Sequence, residues 1–223
     1  MQVLKDKGME SLILDLRDNG GGILEEAVDI VDEFIGGDQL IVYTKGNSHP
    51  QKEYKAKRRG IFETGKITVL INEGSASASE IIAGSLQDLD RAVVLGSRSF
   101  GKGLVQRPLN LSYGTQVKVT ISRYYTPSGR CIQALDYTRK DKDGKAIKIQ
   151  QNELNSFKTK GGRTVQDGGG VLPDIALEAT KTSPITDALV KNDAIFDFAT
   201  NMYFQNPNRT GIPTITESDF TAF

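Results

Sequence analysis

Four serines crowd the segment INEGSASASEIIAGSLQD, residues 71–88, where an apolar run ends and a helical pattern begins. They are Ser75, Ser77, Ser79 and Ser85. Two chemical roles are open for Ser77. Its hydroxyl can cap the helix, because Ser77 and Glu80 fit a Ser-x-x-Glu capping box. It can instead act as a nucleophile, because the positive end of a helix and its free backbone N–H groups stabilise negative charge.

A serine nucleophile needs a general base, and this chain offers few candidates. Its one histidine, His49, lies in a polar stretch typical of a solvated loop, and its one cysteine is Cys131. A lysine can act as the base when it is neutral, so its pKa must fall from about 10.4 toward roughly 7–8. Most of the lysines lie in charged runs, whereas Lys102 lies between glycines in SFGKGLVQ. A Ser/Lys pair is therefore favoured over a Ser/His pair.

Gln106 is a candidate partner for Lys102. In an extended segment Lys102, Leu104 and Gln106 point the same way, so the amide can orient the amine. The alternative is that Lys102 is a surface lysine in a glycine turn.

The glycine run Gly20–Gly22 lies between a predicted strand and a predicted helix. Nucleotide binding is disfavoured there, because neither G-x-G-x-x-G nor a Gly-Lys-Ser/Thr sequence is present. Two interpretations remain. The run can be a tight strand-to-helix turn, or it can present bare backbone N–H groups to an oxyanion.

The composition excludes several classes of function. Lysine plus arginine equals aspartate plus glutamate at 28 each, so no charge excess points to nucleic acid or to an anionic membrane. A single cysteine permits neither an internal disulfide nor a multi-cysteine zinc site. We predict no metal and no cofactor. The sequence shows no signal peptide and no apolar run of about 18 residues.

The first hundred residues alternate between strand and helix patterns, which favours an α/β fold with a largely parallel sheet flanked by helices. Strands are predicted over 11–16, 40–44, 66–72 and 92–96, and helices over 23–35 and 77–89. Residues 103–126 predict a β-hairpin around Ser112-Tyr113-Gly114. Residues 136–170 are typical of a long surface insertion, 171–178 of a further strand, and 183–206 of a helix. The tail from 207 to 223 is predicted to be a loop.

Five stretches occur in an order that resembles the protease core of the carboxyl-terminal processing peptidases, also called tail-specific proteases. They are LILDLRDNGGGILEEAVDI, VLINEGSASASEIIAGSLQD, RAVVLGSRSFGKGLVQ, YYTPSGRCIQ and GGGVLPDI. The resemblance spans about residues 8 to 178. It implies a crotonase/Clp-protease-like core over residues 1–178, truncated at its N-terminus, with a helical extension over 179–223.

The resemblance also implies roles for individual residues. Ser77 is then the nucleophile of a serine endopeptidase, Lys102 the general base and Gln106 the residue that orients it. The backbone N–H groups of Ala78 and of Gly21 or Gly22 form the oxyanion hole. Ser75 and Ser79 are neighbours rather than nucleophiles.

The resemblance further implies polypeptide substrates with apolar C-termini and an extracytoplasmic location, periplasmic or membrane-associated. A PDZ domain is expected in the full-length protein and is absent from this chain, which we expect to be a fragment. A homo-oligomer is left open. Two rival functions also remain: a catalytically silent peptide-binding module, and a non-peptidase acyl-transfer enzyme on a related fold.

Overall fold

The computed structural model describes residues 1–177, 182–205, 211 and 214–223. The chain divides into two compact units, Met1–Ala179 and Thr180–Phe223. The predicted domain boundary after residue 178 lies outside the described residues and stays a prediction. No helix of the described residues is long and apolar enough to cross a membrane.

The first unit alternates strands and helices and then becomes mostly strand. Its helices are α1 (Gln2–Asp6), α2 (Leu24–Asp32) and α3 (Ala78–Asp88). Its strands begin with β1 (Ser11–Asp15), β2 (Leu40–Lys45), β3 (Lys52–Lys55), β4 (Lys66–Ile71), β5 (Val93–Gly96), β6 (Leu104–Asn110) and β7 (Gln116–Tyr125). Five short strands follow: β8 (Leu135–Lys140), β9 (Ala146–Lys148), β10 (Ser156–Lys158), β11 (Thr164–Gln166) and β12 (Ile175–Ala176).

The predicted parallel sheet is confirmed, with the strand order β1-β4-β5-β12. All three of its strand pairs are parallel, and Ile13 lies opposite Thr68, which lies opposite Val93. Parallel neighbours carry their carboxyl ends on the same edge of the sheet. The loops after β1 and β4 therefore meet, and these loops hold the glycine run and the serine cluster.

The strand predicted over 40–44 is confirmed as β2, but it does not join the parallel sheet. β2 instead pairs antiparallel with β3 and β7. The predicted hairpin of β6 and β7 is confirmed, and it joins β2 and β3 in a second sheet of order β3-β2-β7-β6. An apolar run such as LIVYT is compatible with either sheet, so its partner depends on distant strands.

Helix α3 is the centre of the core, because every residue from Ala78 to Asp88 is buried. It packs against α2, β2 and β5. A helix buried on all sides must satisfy its polar side chains internally. Ser85 Oγ donates to the Ile41 carbonyl at 2.7 Å, and Gln87 Nε2 donates to the Leu172 carbonyl at 2.9 Å.

The segment 136–170, predicted to be a surface insertion, is partly anchored to the core. It forms two small antiparallel hairpins, β8–β9 and β10–β11. Val165 and Thr159 are buried, and Lys160 N donates to the Asp88 carbonyl at 2.7 Å. The polar composition of this segment therefore does not place all of its residues in contact with solvent.

The second unit is helical. The predicted helix over 183–206 is divided into α4 (Pro184–Lys191) and α5 (Ala194–Gln205). Asp193 between them has a left-handed φ of 55°, which a helix interior does not allow. The tail was expected to be a loop, but Glu217–Ala222 forms α6, with Thr216 Oγ1 accepting from Asp219 N at 3.2 Å. The prediction of a loop was wrong because it did not take Thr216 as the N-cap of a helix.

A buried ion pair fixes the C-terminal end of α3. Arg130 and Asp88 are fully buried, with Arg130 Nη2 2.8 Å from Asp88 Oδ1. Arg130 Nη2 also donates to Gln87 Oε1 at 2.6 Å, and Ser128 N donates to Asp88 Oδ2 at 3.0 Å. The pair therefore holds the loop after β7 against α3.

Replacing Arg130 with methionine should lower the free energy of unfolding by about 3–5 kcal/mol, because Asp88 then remains buried without its cation. Urea denaturation with an unchanged m-value measures this loss. Arg139→Met is the control: its ion pairs with Asp136 and Glu153 are solvent-exposed, so about 1 kcal/mol or less is expected. Equal losses in both variants would contradict the prediction.

Candidate active site

The loops after β1 and β4 are joined by reciprocal hydrogen bonds. Asp18 N donates to Asn72 Oδ1 at 2.8 Å, and Asn72 Nδ2 donates to Asp18 Oδ1 at 2.9 Å. Ala76 N donates to the Asn19 carbonyl at 3.0 Å. The glycine run is thereby fixed beside the first turn of α3.

Three of the four clustered serines have structural partners. Ser75 Oγ donates to the Leu16 carbonyl at 2.7 Å and accepts from Asn72 N at 3.0 Å. Ser79 Oγ donates to the Asn19 carbonyl at 3.0 Å, and Ser85 Oγ bonds β2 as described above. Among the hydrogen bonds of the described residues, none uses Ser77 Oγ.

The backbone of Ser77 explains why its hydroxyl makes no capping hydrogen bond to α3. Its φ of 58° and ψ of −113° differ from the extended conformation of an ordinary N-cap residue. A non-glycine residue held at positive φ is strained and is typical of functional sites. The predicted capping box of Ser77 and Glu80 is present, with Ser77 N donating to Glu80 Oε2 at 2.8 Å. The approach of the Ser77 side chain to Glu80 N lacks the geometry of a hydrogen bond. The half-buried Ser77 hydroxyl is left facing a cavity.

Gly21 lies against the backbone of the serine turn. A Cβ atom at Gly21 would lie 2.4 Å from the Ala76 carbonyl oxygen and 2.6 Å from Ala78 N, and its φ is +91°. Its own N–H donates to Asn19 Oδ1 at 2.9 Å, so this N–H is occupied. In contrast, the N–H groups of Gly22 and Ala78 have no partner among the described hydrogen bonds. These two N–H groups are the available donors near Ser77.

Substituting Gly21 with alanine should cost roughly 10²-fold or more in kcat of any acyl-transfer reaction at Ser77, because the new methyl group displaces Ala78 N. Gly20→Ala is the matched control, since nothing lies within 4 Å of its Cβ position and its φ is not positive. Steady-state kinetics of both variants checks this. Equal activity of the two would be evidence against a backbone oxyanion hole here.

Glu80 links the backbone of Ser77 to that of Lys102. The same oxygen, Oε2, accepts from Ser77 N and from Lys102 N at 2.9 Å. Oε1 accepts from Ser99 Oγ at 2.5 Å and Gly101 N at 2.7 Å. Burial raises the pKa of Glu80, and the four hydrogen bonds oppose that shift only in part. One buried carboxyl thus sets the spacing of two candidate catalytic residues.

Tyr124 makes a second link between the same two residues. Its hydroxyl donates to the Lys102 carbonyl. The Tyr124 hydroxyl oxygen also lies 3.2 Å from the Ser77 carbonyl oxygen. Tyr124 is buried, and this burial raises its pKa well above 10, with the Glu80 carboxylate adding to the shift. Tyr124 begins the stretch YYTPSGRCIQ, but nothing in that stretch predicts these contacts, because they depend on how β7 pairs with other strands.

The side chains of Lys102 and Gln106 border the same cavity as Ser77 but are exposed. Burial of the Lys102 amine, expected for a neutral base, is therefore not provided by this chain alone. The described hydrogen bonds include none between Lys102 Nζ and either Ser77 Oγ or Gln106. The structure brings the three residues to one cavity and leaves their side chains unconnected.

The cavity has a volume of about 650 Å³. Its lining includes Gly22 and Ala78 besides the three candidate side chains, and His49 lies at its border. His49 is exposed in the loop between β2 and β3, as the polar sequence around it predicts. Within the described residues, no group of three or more histidine, cysteine, aspartate or glutamate side chains could hold a metal ion.

Residues 1–141 match the model of peptidase family S41. The chain belongs to peptidase family S41. It is 40% identical over 130 residues to the carboxy-terminal-processing protease of Bartonella bacilliformis. That alignment covers 58% of this chain and 30% of the Bartonella protein. It is also 40% identical over 132 residues to the carboxyl-terminal-processing protease of Synechocystis, covering 59% and 30% of the two chains. The chain thus spans about 30% of the length of these two S41 relatives.

Solved structures agree with the S41 assignment. The photosystem II D1 C-terminal processing protease matches with a TM-score of 0.58 and 30% identity, covering 79% of this chain and 37% of that chain. An S41 protease from Bacteroides fragilis matches with a TM-score of 0.52 and 16% identity, covering 58% and 36%, and shows the likeness of fold alone. The α/β fold and the family resemblance predicted from the sequence are confirmed.

Proposed function

We propose that this protein is a serine endopeptidase in which Ser77 is the nucleophile and Lys102 the general base. One observation carries the proposal. Ser77 is the clustered serine whose hydroxyl has no described hydrogen-bond partner, and it faces a cavity that Lys102 also borders. A hydroxyl with a structural partner would have to break that bond before it could attack.

In the proposed reaction, Ser77 Oγ attacks the carbonyl carbon of the scissile peptide bond while neutral Lys102 Nζ takes the hydroxyl proton. The N–H groups of Gly22 and Ala78 stabilise the oxyanion that forms. When the tetrahedral intermediate collapses, Lys102 returns the proton to the leaving amine and Ser77 carries the acyl group. Water, deprotonated by Lys102, then hydrolyses the ester and restores the Ser77 hydroxyl.

Glu80 and Tyr124 support this chemistry by fixing the backbone of both residues, as described above. Pre-organised geometry of this kind removes a large part of the entropic cost of bringing the two groups together. Substrate filling the cavity would remove water from around the Lys102 amine, and this favours the neutral form of a lysine. In this proposal Gln106 orients the amine once the substrate is bound.

Processing of C-terminal tails is proposed from the names of the relatives. Polypeptides with apolar C-termini are proposed as substrates from the family resemblance. An extracytoplasmic location, and a PDZ domain elsewhere in the full-length protein, are also proposed from the family resemblance. Two further relatives are named as chloroplastic processing peptidases.

The test is cleavage of an unstructured protein with an apolar C-terminus, read by intact mass spectrometry. Discrete products, together with an acyl-enzyme adduct on the peptide that contains Ser77, are expected. An adduct on a different serine would contradict the assignment of the nucleophile.

The second candidate is a peptide-binding module without catalysis, which the exposed Lys102 and its missing bond to Ser77 favour. Saturable binding of the same substrate with no product after prolonged incubation would support it. Cleavage would exclude it.

A further inference from the structure

The candidate cavity continues into a second one along the second sheet. The neighbouring cavity has a volume of about 720 Å³ and shares four lining residues with the first. They are His49, Leu104, Ile121 and Ser122. The two cavities therefore adjoin along β6 and β7 and form one groove, which we call the β6–β7 groove.

The charges on this groove are almost all of one sign. Besides Lys102, its lining carries five cationic side chains and one carboxylate, Glu25, in a chain of zero formal net charge. The five cations are Lys45, Lys52, Arg107, Lys118 and Arg123. Among the described residues, none of the five has a carboxylate partner within 4.0 Å, although eleven such ion pairs form elsewhere.

Two of these cations oppose each other directly. Lys45 on β2 is the register partner of Arg123 on β7, and both side chains are exposed. Like charges opposite each other across an antiparallel pair repel. A bound anion would relieve that repulsion, so this pair has an electrostatic reason to accept a carboxylate from outside the chain.

The groove also presents surface for the rest of a polypeptide. Leu24, Ile81 and Val105 line its part near Ser77, and Tyr125 and Tyr137 line the other part. Tyr125 stacks on Tyr43 with ring centroids 4.8 Å apart, which holds that wall in place. Apolar and aromatic walls with cations along the rim fit an extended segment that combines apolar and acidic residues.

Resting on the proposed function, we propose that the β6–β7 groove selects polypeptide segments that carry acidic side chains within a few residues of the scissile bond. The potential of several like charges along a groove with low-dielectric walls concentrates ligands of opposite sign. The apolar walls hold the scissile segment and the cations hold its acidic flank. The substrate class is thus defined by carboxylate side chains as well as by an apolar C-terminus.

The experiment measures binding to the Ser77→Ala variant, so that catalysis is not needed for a result. Fluorescent peptides share one apolar segment and carry glutamate or glutamine on the flanks, each with a free or an amidated C-terminus. At low ionic strength the glutamate peptide should bind about tenfold more tightly than the glutamine peptide, and added salt should reduce the ratio toward one. The ratio should be the same for free and amidated termini.

Two charge-neutralising variants complete the design. Arg107→Gln with Lys118→Gln should abolish the preference for glutamate. Lys142→Gln with Lys145→Gln removes the same charge from the exposed β8–β9 turn and should keep the preference. Circular dichroism of both variants verifies that the fold is intact.

Three outcomes would overturn the groove assignment: equal binding of both peptides at low salt, loss of the preference on amidation, and equal losses in the two double variants. Loss on amidation would mean that the terminal carboxylate is recognised instead. Preference for glutamate in binding, with no cleavage by the parent chain, would keep the groove assignment and overturn the proposed peptidase. Cleavage by the parent chain without a preference for glutamate would keep the proposed peptidase and overturn the groove assignment.

Discussion

Replacing Ser77 with alanine is expected to lower kcat/KM for peptide cleavage by roughly 10⁴-fold or more, about 5.5 kcal/mol of transition-state stabilisation. The reason is that covalent catalysis ends when the nucleophilic oxygen is removed. The free energy of unfolding should change by less than about 0.5 kcal/mol, because no described hydrogen bond uses Ser77 Oγ. Steady-state kinetics and urea denaturation of the same preparation measure the two quantities.

Ser75→Ala is the control that separates chemistry from folding. Ser75 Oγ is buried between the Leu16 carbonyl and Asn72 N, so its removal leaves Asn72 N without its acceptor. The Leu16 carbonyl then keeps only its longer bond from Asn19 N, at 3.3 Å. We expect a loss of about 1–3 kcal/mol in stability. A stable, inactive Ser77 variant beside a destabilised Ser75 variant is the predicted pattern. Full activity of the Ser77 variant would remove the proposed nucleophile.

Replacing Lys102 with methionine is expected to lower kcat by roughly 10³-fold or more with a smaller change in KM, since the general base acts in the transition state. Methionine keeps much of the length and removes the amine. The backbone bonds to Glu80 and Tyr124 do not depend on the side chain, so the fold should persist. Lys102→Arg should not restore activity, because a guanidinium group stays protonated.

Chemical rescue sharpens this prediction. Small primary amines added to Lys102→Ala should restore part of the rate, and the restored rate should depend on the basicity of the amine. Lys140→Met is a control at an exposed site on β8 and should match the parent. A Lys102→Met variant with the kcat of the parent would mean that another group is the base.

The cations of the β6–β7 groove are proposed to attract acidic substrate segments, and the same cations also act on the Lys102 side chain. The field that would attract acidic flanks extends to the Lys102 side chain, which borders the same space. In the two proposals, substrate recognition and base catalysis would share one electrostatic environment. Salt dependence of kcat and of KM should be measured separately for this reason.

Local patterns in the sequence predicted much of this protein. The alternation of strand and helix follows from periods of two and about 3.6 residues, which are visible in any short window. The hairpin of β6 and β7 follows from turn residues between two β-prone runs. Five ordered stretches predicted the family of carboxyl-terminal processing peptidases, and the match to peptidase family S41 confirms that prediction. These features are encoded by neighbours in the chain.

Tertiary contacts decided the rest. The sequence left Gly21 and Gly22 as alternatives, whereas the structure engages the N–H of Gly21 with Asn19 and leaves that of Gly22 available. The local sequence alone did not separate the clustered serines, and in the structure Ser75 Oγ donates to the Leu16 carbonyl and Ser79 Oγ to the Asn19 carbonyl. The bonds of Ser75 and Ser79 come from residues at least 59 positions away in the sequence. The bond of Gly21 N depends on the shape of the turn that contains Asn19.

The partners of Ser77 and Lys102 show the physical reason. Tyr124 lies 47 residues after Ser77 and reaches its carbonyl only because β7 pairs with β2 and β6. The opposition of Lys45 and Arg123 likewise requires β2 to join the antiparallel sheet. Hydrophobic periodicity reports which face of an element is buried and does not report which element covers it. Strand order is set by the packing of the whole core, so it was decided only in the folded chain.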